Sequence, residues 1–580
     1  MYTISKNTQI ILSLLKAHGI RHIVISPGAT NIPITQGVQN DPFFTCYSVV
    51  DERSAMYFAI GLYLELGVPI ATSCTAAQAT RNYIPGLTEA FYKHVPILAI
   101  TASKHPKHTY QEYMQGPDQT SLPADAVKKT FALPYVDGKI DELHCTRMVN
   151  EAILELTHRT SGPVQLNMPE NDSELGIYNV PTLPTVRVIK RYMEWDKWDT
   201  PLNSKKIMIV VGEHRPFTAG QTAAIEAFCK SHNAFVYVNH LSNYHGEYTV
   251  LANLALAGMG NEAFKTYKPD ILITIGGQTG DYPLYGKLAM GDWHDFEHWR
   301  IAEDGNVVDT YDKLSKIFEC PFELFFYRLS KNTEMEHSYL EQWKELELST
   351  SIPDNLPFSN AYLAQQLHCD IPKNSYLNLA ILNSLRHWSF FPLDPSITCY
   401  SNVAAFGIDG CMSVFLGESV ATDNLCFLVI GDLAFFYDMN SLGIRQLKNN
   451  VRILLVNNGC GIEFKNYNHV NYQFGKDGDA YVAAVGHNGN SAKGWVENVG
   501  FKYLQAKNKD EFLKHKDEFL GKSEESIVFE IFTTPEDESD ALKSIIENNR
   551  MTSGMDVVKD KVRSLVGAKG VSILKNMIKK

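Results

Sequence analysis

Two short polar clusters directly follow two apolar segments of the chain. Gly431-Asp432 comes after residues 425–430, and Asn457-Asn458 comes after residues 451–456. Continuous apolar runs of this length predict central strands of a parallel sheet. Ligands of such sheets bind at the carboxyl ends of the strands. The two clusters are therefore expected to lie together at a ligand site.

The residue types in these clusters suit a divalent metal that holds a diphosphate. A hard cation such as Mg²⁺, or Mn²⁺ in its place, prefers oxygen ligands. Asp432 offers a carboxylate, Asn458 an amide oxygen and Cys460 a backbone carbonyl. The helix start predicted after Asp432 adds backbone N–H groups for the same anion. We therefore predict a metal-bound diphosphate at this position.

The elements that must position these residues form three predicted α/β domains. Strand-like apolar runs alternate with helical patterns over residues 1–180, 186–348 and 358–550. Such alternation predicts an α/β fold of three doubly wound parallel-sheet domains. Residues 551–580 form a basic amphipathic tail. We expect a solvated helix or a disordered segment there, with docking on an anionic membrane as the less favoured alternative.

The composition of the chain argues against several functional classes. The chain has 580 residues and a net charge of −12, so no basic field predicts nucleic-acid binding. Its ten cysteines include no CxxC pair, which favours reduced thiols over a zinc site or a disulfide scaffold. The first twenty residues resemble an amphipathic helix more than a signal peptide. We therefore predict a cytoplasmic protein.

The two polar clusters resemble the cofactor motif of thiamine-diphosphate enzymes, in which Gly-Asp-Gly is followed by Asn-Asn. Here Gly431-Asp432-Leu433 is followed by Asn458, 26 positions after Asp432. The Gly-Asp-Leu form resembles the SEPHCHC synthases of the menaquinone pathway. The resemblance covers roughly residues 1–545. It implies thiamine diphosphate and Mg²⁺ as cofactors. It also implies three domains: a pyrimidine-binding domain, a middle domain and a diphosphate-binding domain. The loop after Asn458 is one residue shorter than in the family, which leaves Asn457 as the alternative ligand.

The resemblance also assigns roles to individual residues. Glu52 corresponds to the glutamate that activates the aminopyrimidine ring, and Gln111 to the glutamine that faces the thiazolium. Glu463 resembles the proton-relaying glutamate of related decarboxylases, and His108, with His105, lies where such enzymes have relay histidines. A raised pKa in an apolar pocket would suit Glu52 to share a proton. The remaining cofactor-binding residues by resemblance are Gly28, Thr75, Phe406, Ile408, Gly431, Leu433, Ala434 and Ile462.

The reaction implied is decarboxylation of a 2-oxoacid and transfer of the resulting acyl carbanion to an acceptor carbonyl compound. SEPHCHC synthases join 2-oxoglutarate to isochorismate, and their substrate positions carry arginines that this chain lacks. Thr30, Trp388 and Val403 stand at three of those positions. Because arginine binds carboxylates bidentately, we expect a related carboligase with a less anionic acceptor.

Other functions stay open at this point. They are a simple decarboxylase that gives an aldehyde, SEPHCHC synthase activity itself, and a non-catalytic cofactor-binding subunit. The family places each active site between two subunits, so we expect a homodimer or a tetramer. The middle domain of some relatives binds FAD. Residues 211–214 lack the glycine spacing of a dinucleotide fingerprint, so we predict no flavin.

Overall fold

The computed structural model describes residues 1–290, 295–487 and 491–551, which form two compact units. The first unit comprises Met1–Trp198 and Glu303–Glu319. The second comprises Asp199–Ala302 and the described residues from Cys320 onward. The basic tail predicted at 551–580 lies outside the described residues, except for Met551.

The first unit contains a six-stranded parallel sheet whose connections are mostly helical. In chain order its elements are β1 (Tyr2–Thr3), α1 (Lys6–Ala17), β2 (His22–Ile25), α2 (Ile32–Gln39), β3 (Thr45–Ser48), α3 (Glu52–Leu66), β4 (Ile70–Cys74), α4 (Gln78–Tyr92), β5 (Ile97–Lys104), β6 (Lys129–Ala132), α5 (Lys139–Glu155), β7 (Val164–Glu170), β8 (Tyr178–Val180) and β9 (Lys190–Met193). The sheet order is β3-β2-β4-β5-β7-β6, and β1 pairs antiparallel with β8. Alternation of strand and helix along the sequence has therefore given the α/β arrangement that it predicted.

The chain between the two six-stranded sheets carries a further parallel arrangement. Its elements are β10 (Ile207–Val211), α6 (Ala219–Ser231), β11 (Ala234–Tyr237), β12 (Thr249–Val250), α7 (Asn253–Gly258), α8 (Asn261–Tyr267), β13 (Ile271–Ile275), α9 (Tyr282–Met290), β14 (Glu297–Ile301), β15 (Leu314–Glu319), α10 (Phe322–Leu329) and α11 (Ser338–Leu348). In the second unit the strand order is β12-β11-β10-β13-β14. In the first unit β15 pairs in parallel with β9.

A six-stranded parallel sheet near the end of the chain positions the predicted metal site. Its elements are α12 (Asn360–Leu367), β16 (Tyr376–Leu379), α13 (Asn383–Trp388), β17 (Thr398–Tyr400), α14 (Cys411–Val420), β18 (Cys426–Gly431), α15 (Asp432–Tyr437), β19 (Val451–Asn457), α16 (Lys493–Asn498), β20 (Lys502–Ala506), α17 (Lys509–Leu520), β21 (Ile527–Phe532) and α18 (Pro535–Asn548). The order is β17-β16-β18-β19-β21-β20. Strands β18 and β19 are central neighbours, with Gly431 opposite Val456. The two polar clusters therefore end adjacent strands at one edge of the sheet.

Two strand-to-helix turns share one strained backbone conformation. Ala77, between β4 and α4, has φ 71° and ψ −117°, and Leu382, between β16 and α13, has φ 68° and ψ −117°. Each lies three residues after the last residue of its strand. Residues with a Cβ rarely adopt this conformation, which costs about 1–3 kcal/mol. In the first unit the Gln119 side chain accepts the Ala77 N–H at 2.6 Å and so helps to hold the turn.

The three parallel arrangements confirm the predicted α/β class. Strands β18 and β19 are buried along nearly their whole length, as their continuous apolar sequences predicted. All ten cysteines are free thiols. Within the described residues, no helix is both long enough and apolar enough to cross a membrane.

Candidate active site

Asp432 lies between the two loops that follow β18 and β19. It is 2% exposed, and its carboxylate accepts the backbone N–H groups of Gly459 at 2.8 Å and Leu433 at 2.9 Å. Burial raises the pKa of this carboxyl to about 6; the two N–H groups oppose the shift and Glu530 adds to it. A buried carboxylate without a cationic side chain against it is a group that a bound cation would stabilise. The position fits the metal ligand predicted from the sequence.

Asn457 is held by the fold. Its Nδ2 donates to Glu530 at 2.8 Å, and its Oδ1 accepts the Gly459 N–H at 3.2 Å. The Glu530 carboxylate is fully buried on β21. It also accepts Ser491 Oγ–H at 2.7 Å and Tyr503 O–H at 2.7 Å. Both polar ends of the Asn457 side chain are therefore occupied within the protein.

Asn458 and Cys460 lie at the adjoining cavity. The Asn458 Oδ1 accepts only long contacts, from the Cys460 N–H at 3.4 Å and the Cys460 thiol at 3.5 Å. Burial raises the pKa of that thiol to about 12, so it is neutral near pH 7. The Asn458 amide oxygen thus has no close partner among the described residues, and Asn458 and Cys460 line the cavity that contains Asp432.

A cavity of about 250 Å³ opens at this edge of the sheet. It brings together most of the residues that the sequence predicted for the cofactor and metal in this unit: Ile408, Gly431, Asp432, Leu433, Ala434, Asn458, Cys460, Ile462 and Glu463. Polar residues that the sequence analysis missed also line it, namely Asn360, Asn383, Ser384 and Glu538. Among the described residues that line the cavity, none is lysine, arginine or histidine.

Two of its acidic residues are bound within the protein. Glu463 forms a bidentate ion pair with Arg386, with N–O distances of 2.7 and 2.9 Å. Glu538 accepts the Asn360 backbone N–H at 3.0 Å and the Thr533 hydroxyl at 2.8 Å, and burial raises its pKa to about 7. The cavity therefore presents one ion-paired acid and one acid that is partly protonated near pH 7.

Phe406 lines a smaller neighbouring cavity instead. Arg386 and Leu382 share this second cavity, and Leu382 lines both. The Phe406 ring packs edge-on against Tyr282, with ring centres 5.5 Å apart. Within the second unit the structure thus separates Phe406 from Ile408, although the sequence predicted both for the cofactor.

In the first unit, Glu52 begins α3 and is only partly buried. Asp51 caps the helix by accepting the Ser54 N–H at 2.8 Å, which leaves the Glu52 carboxylate without a capping role. Asn82 Nδ2 donates to Glu52 at 3.1 Å. A helix-start acid that does not cap its helix is available for another function.

Gly28 and Thr75, both predicted to contact the cofactor, lie against each other. A Cβ at position 28 would stand 2.3 Å from the Thr75 Cβ, so only glycine fits without movement. The Thr75 hydroxyl accepts the Thr30 N–H at 3.2 Å. The loops after β2 and β4 therefore meet through these residues.

Gln111 and His108 belong to one surface loop after β5. Gln111 is exposed and donates weakly to the Thr109 carbonyl at 3.4 Å, while the His108 ring stacks on Tyr113 at 3.9 Å. His105 packs on Tyr135 with ring centres 5.1 Å apart, and burial lowers its pKa. The roles that resemblance gives to Gln111 and His108 stay predictions.

Comparison with known proteins finds relatives along most of the chain. Residues 6–122 match the family model described as thiamine pyrophosphate enzyme, N-terminal TPP binding domain. The 2-succinyl-5-enolpyruvyl-6-hydroxy-3-cyclohexene-1-carboxylate synthase of Bacteroides thetaiotaomicron is 33% identical over 554 residues, 94% of this chain and 98% of that protein. The protein of the same name from Phocaeicola vulgatus is 34% identical over 561 residues, 94% and 98% of the two chains.

The site and the comparisons agree on the cofactor and on the class of reaction. The chain is an enzyme that uses thiamine diphosphate with a divalent metal. It decarboxylates a 2-oxoacid and transfers the resulting acyl carbanion to an acceptor. It belongs to the family of thiamine-diphosphate enzymes that includes the 2-succinyl-5-enolpyruvyl-6-hydroxy-3-cyclohexene-1-carboxylate synthases.

Proposed function

We propose that this enzyme joins a decarboxylated 2-oxoacid to an acceptor carbonyl compound less anionic than isochorismate. The observation that carries the proposal is the charge of the cavity. Its described lining residues include no cationic side chain, and the nearby guanidinium of Arg386 is neutralised by Glu463. A carboxylate on the acceptor would find no free cationic partner among these residues, and burying a charge without one would be costly.

The metal and the diphosphate would be held by the second unit. Asp432 would supply a carboxylate, Asn458 an amide oxygen and Cys460 a backbone carbonyl. We favour Asn458 over Asn457, since both polar atoms of the Asn457 side chain already have partners in the protein. Gly431, Leu433 and Ala434 would contact the diphosphate, and Ile408 and Ile462 would pack against the rings, whereas Phe406 lines the neighbouring cavity.

The first unit would activate the cofactor. Thiamine diphosphate, when bound, supplies a nucleophilic carbon and an electron sink for the bond that releases carbon dioxide. Glu52 would hold a proton at the aminopyrimidine nitrogen, with Asn82 fixing its carboxylate. Gly28 and Thr75 would shape the pyrimidine site. Gln111 and His108 would contribute from the loop after β5.

Glu463 has two candidate roles. Its bidentate pair with Arg386 and its contact with Asn466 at 3.3 Å make it an acceptor of hydrogen bonds, which favours orientation of Arg386. The second role, a proton relay to the decarboxylated substrate, rests on the resemblance to pyruvate-decarboxylase-type enzymes. Glu463→Gln separates the two, since the amide oxygen still accepts a hydrogen bond from Arg386 while the side chain can no longer carry a proton.

We also propose a homo-oligomer, in which Glu52 of one copy serves the metal site of another. Exposed apolar residues in both units support it: Tyr57, Phe58 and Leu64 on α3, and Val470, Tyr472 and Phe474 after β19. Contiguous exposed apolar surface commonly marks a protein interface. Light scattering should give a dimer or a tetramer, and a monomer would contradict the proposal. The ten free thiols support a cytoplasmic location.

The decisive experiment measures carbon dioxide release from a panel of 2-oxoacids with thiamine diphosphate and Mg²⁺, followed by product analysis with a pool of acceptors. We expect release together with a hydroxyketone product. An aldehyde alone would indicate a simple decarboxylase, and no release would indicate a non-catalytic subunit. The second candidate is SEPHCHC synthase activity itself, favoured by 33% identity over 94% of the chain. Turnover of 2-oxoglutarate with isochorismate as the preferred acceptor would establish it and refute our proposal.

A further inference from the structure

The loop that joins β5 to β6 carries backbone strain at residues other than glycine. Tyr110, Glu112 and Gln115 have φ of 63°, 54° and 62°. Residues with a Cβ rarely adopt such angles, and they keep them only where neighbouring contacts hold the backbone. The loop also contains His108 and Gln111. The contacts that fix its shape therefore also fix the positions of these two side chains.

One carboxylate, that of Asp172 after β7, contacts both ends of a strained stretch of this loop. Lys104 Nζ, at the last residue of β5, donates to its Oδ1 at 2.5 Å, and the Tyr113 hydroxyl donates to its Oδ2 at 3.4 Å. Tyr110 and Glu112 lie between these two contacts in the chain. Asp172 thus closes the stretch with one charge-assisted contact and one long hydrogen bond.

Tyr113 connects Asp172 to His108. The tyrosine and histidine rings stack with their centres 3.9 Å apart and their planes inclined by 16°. A ring that is stacked on one face and bonded at its hydroxyl has few orientations left, so it also limits the orientation of the ring stacked on it. Asp172 therefore acts on His108 without touching it.

The segment that carries Asp172 is itself anchored. Asn171 Nδ2 donates to the Tyr135 hydroxyl at 3.3 Å, and that hydroxyl donates to Glu174 at 2.5 Å. The Tyr135 ring also packs on His105, with ring centres 5.1 Å apart. The residues on either side of Asp172 are therefore bonded to the rest of the unit, and its carboxylate can hold the loop in one position.

We propose that Asp172 is a positioning residue: by pairing with Lys104 and accepting the Tyr113 hydroxyl, it holds the loop after β5 in one shape and sets the orientation of the His108 ring for turnover. The inference rests on the proposed function, which gives His108 its part in the reaction. Asp172 itself contacts no reacting group. Its loss should therefore change the loop and the rate of turnover, and leave cofactor binding as it is.

The test compares Asp172→Asn, which keeps the size of the side chain and removes its charge, with the parent enzyme. The kcat for carbon dioxide release from the best 2-oxoacid of the panel should fall about threefold to tenfold, the factor that corresponds to one hydrogen bond. Trypsin should cut after the exposed Lys107 faster by a similar factor, because the released loop enters the protease more often. Thiamine diphosphate affinity, measured by calorimetry, should not change.

Two further variants identify the contacts. Asp172→Glu keeps the charge and should recover part of both effects. Tyr113→Phe removes the hydroxyl alone and should lower kcat less than Asp172→Asn does. The double variant should fall short of the product of the two single effects, because both substitutions remove the same hydrogen bond. A purely structural role of Asp172 would lower the unfolding temperature without this pattern in kcat.

Asp41→Asn is the matched control. Asp41 belongs to the same unit and accepts the same kinds of donor, Lys16 Nζ at 2.6 Å and the Tyr2 hydroxyl at 2.8 Å. Because these partners lie on α1 and β1, its substitution should lower the unfolding temperature at least as much as Asp172→Asn does. It should leave kcat and the cleavage after Lys107 unchanged.

The two measurements on Asp172→Asn decide the proposal together. Faster cleavage with unchanged kcat, a fall in kcat without faster cleavage, or no change in either would overturn it. No carbon dioxide release by the parent enzyme would instead refute the proposed function, and faster cleavage of Asp172→Asn would then still support its hold on the loop.

Discussion

The two adjacent asparagines after β19 allow the site to be tested by one pair of substitutions. Asn457 is bonded to Glu530 and to the Gly459 N–H, whereas Asn458 has only contacts of 3.4 and 3.5 Å with Cys460. Asn457→Ala should therefore lower the free energy of unfolding and leave Mg²⁺ affinity unchanged. Asn458→Ala should leave the free energy of unfolding unchanged and weaken Mg²⁺ binding.

The magnitudes follow from these contacts. The bond from Asn457 to the Glu530 carboxylate is worth about 1.5–3 kcal/mol and the bond from Gly459 about 0.5–1.5 kcal/mol, so the loss is about 2–4 kcal/mol. For a chain of 580 residues, each kcal/mol shifts the unfolding temperature by about 1 °C, so the expected fall is roughly 2–4 °C. The long contacts of Asn458 are worth less than about 1 kcal/mol. Loss of a metal ligand should weaken Mg²⁺ binding by about tenfold or more.

Two measurements separate the variants. Thermal unfolding of metal-free protein reports the stability cost, and calorimetry of thiamine diphosphate at graded Mg²⁺ concentrations reports the metal site. Glu530→Gln serves as the control for Asn457→Ala, and the double variant should lose less than the sum of the two single losses. If Asn457→Ala raises the Mg²⁺ requirement while Asn458→Ala lowers only stability, the ligand assignment is reversed and the reasoning fails.

Three further predictions concern other parts of the enzyme. Glu52→Gln should lower carbon dioxide release by about 10²–10⁴-fold while thiamine diphosphate still binds in calorimetry; full activity would remove Glu52 from the mechanism. Burial raises the pKa of Glu538 to about 7 from an ordinary 4.5, so between these pH values the folded chain holds a proton that the unfolded chain has lost. Stability should therefore fall as pH rises through this window, by up to about 3 kcal/mol, and Glu538→Gln should lack this fall; identical pH profiles would contradict the argument. Gly28→Ala should cost about 1–3 kcal/mol because its Cβ would stand 2.3 Å from the Thr75 Cβ; adding Thr75→Ala should restore part of the unfolding temperature, and strictly additive losses would count against the contact.

The positions of the proposed metal ligands could be predicted because their signal is local. Strands β18 and β19 are mainly apolar, with Arg452 as the one charged residue, and such runs mark central parallel strands whose ends meet at one edge of the sheet. Asp432 and Asn458 could therefore be placed together from sequence alone. The α/β class followed from the same periodicity.

The supporting contacts could not be predicted, because they join residues that are distant in the chain. Asn457 and Glu530 lie 73 positions apart, and Arg386 and Glu463 lie 77 apart. The order of strands decides that β21 lies beside β19, and this order has no local pattern. One signal was present for Glu530, since it is the only charged residue in the apolar strand Ile527–Phe532. A lone charge in a buried strand indicates a polar network or a site.

The strained backbone at Ala77 and Leu382 has a consequence for the thermal stability of the enzyme. Each position carries a residue with a Cβ, and replacement by glycine would relieve about 1–3 kcal/mol of backbone strain. Glycine also gives the unfolded chain more conformational freedom, which would cancel about 0.5–1 kcal/mol of that gain. Glycine at Ala77 should therefore raise the free energy of unfolding, whereas glycine at Leu382 would also remove a partly buried side chain that packs on the core and so cancel the gain. Glycine would also make the turn more flexible, and Leu382 lines the cavity that contains Asp432. Relief of the backbone strain at these turns would therefore trade stability against a rigid backbone beside the cavity.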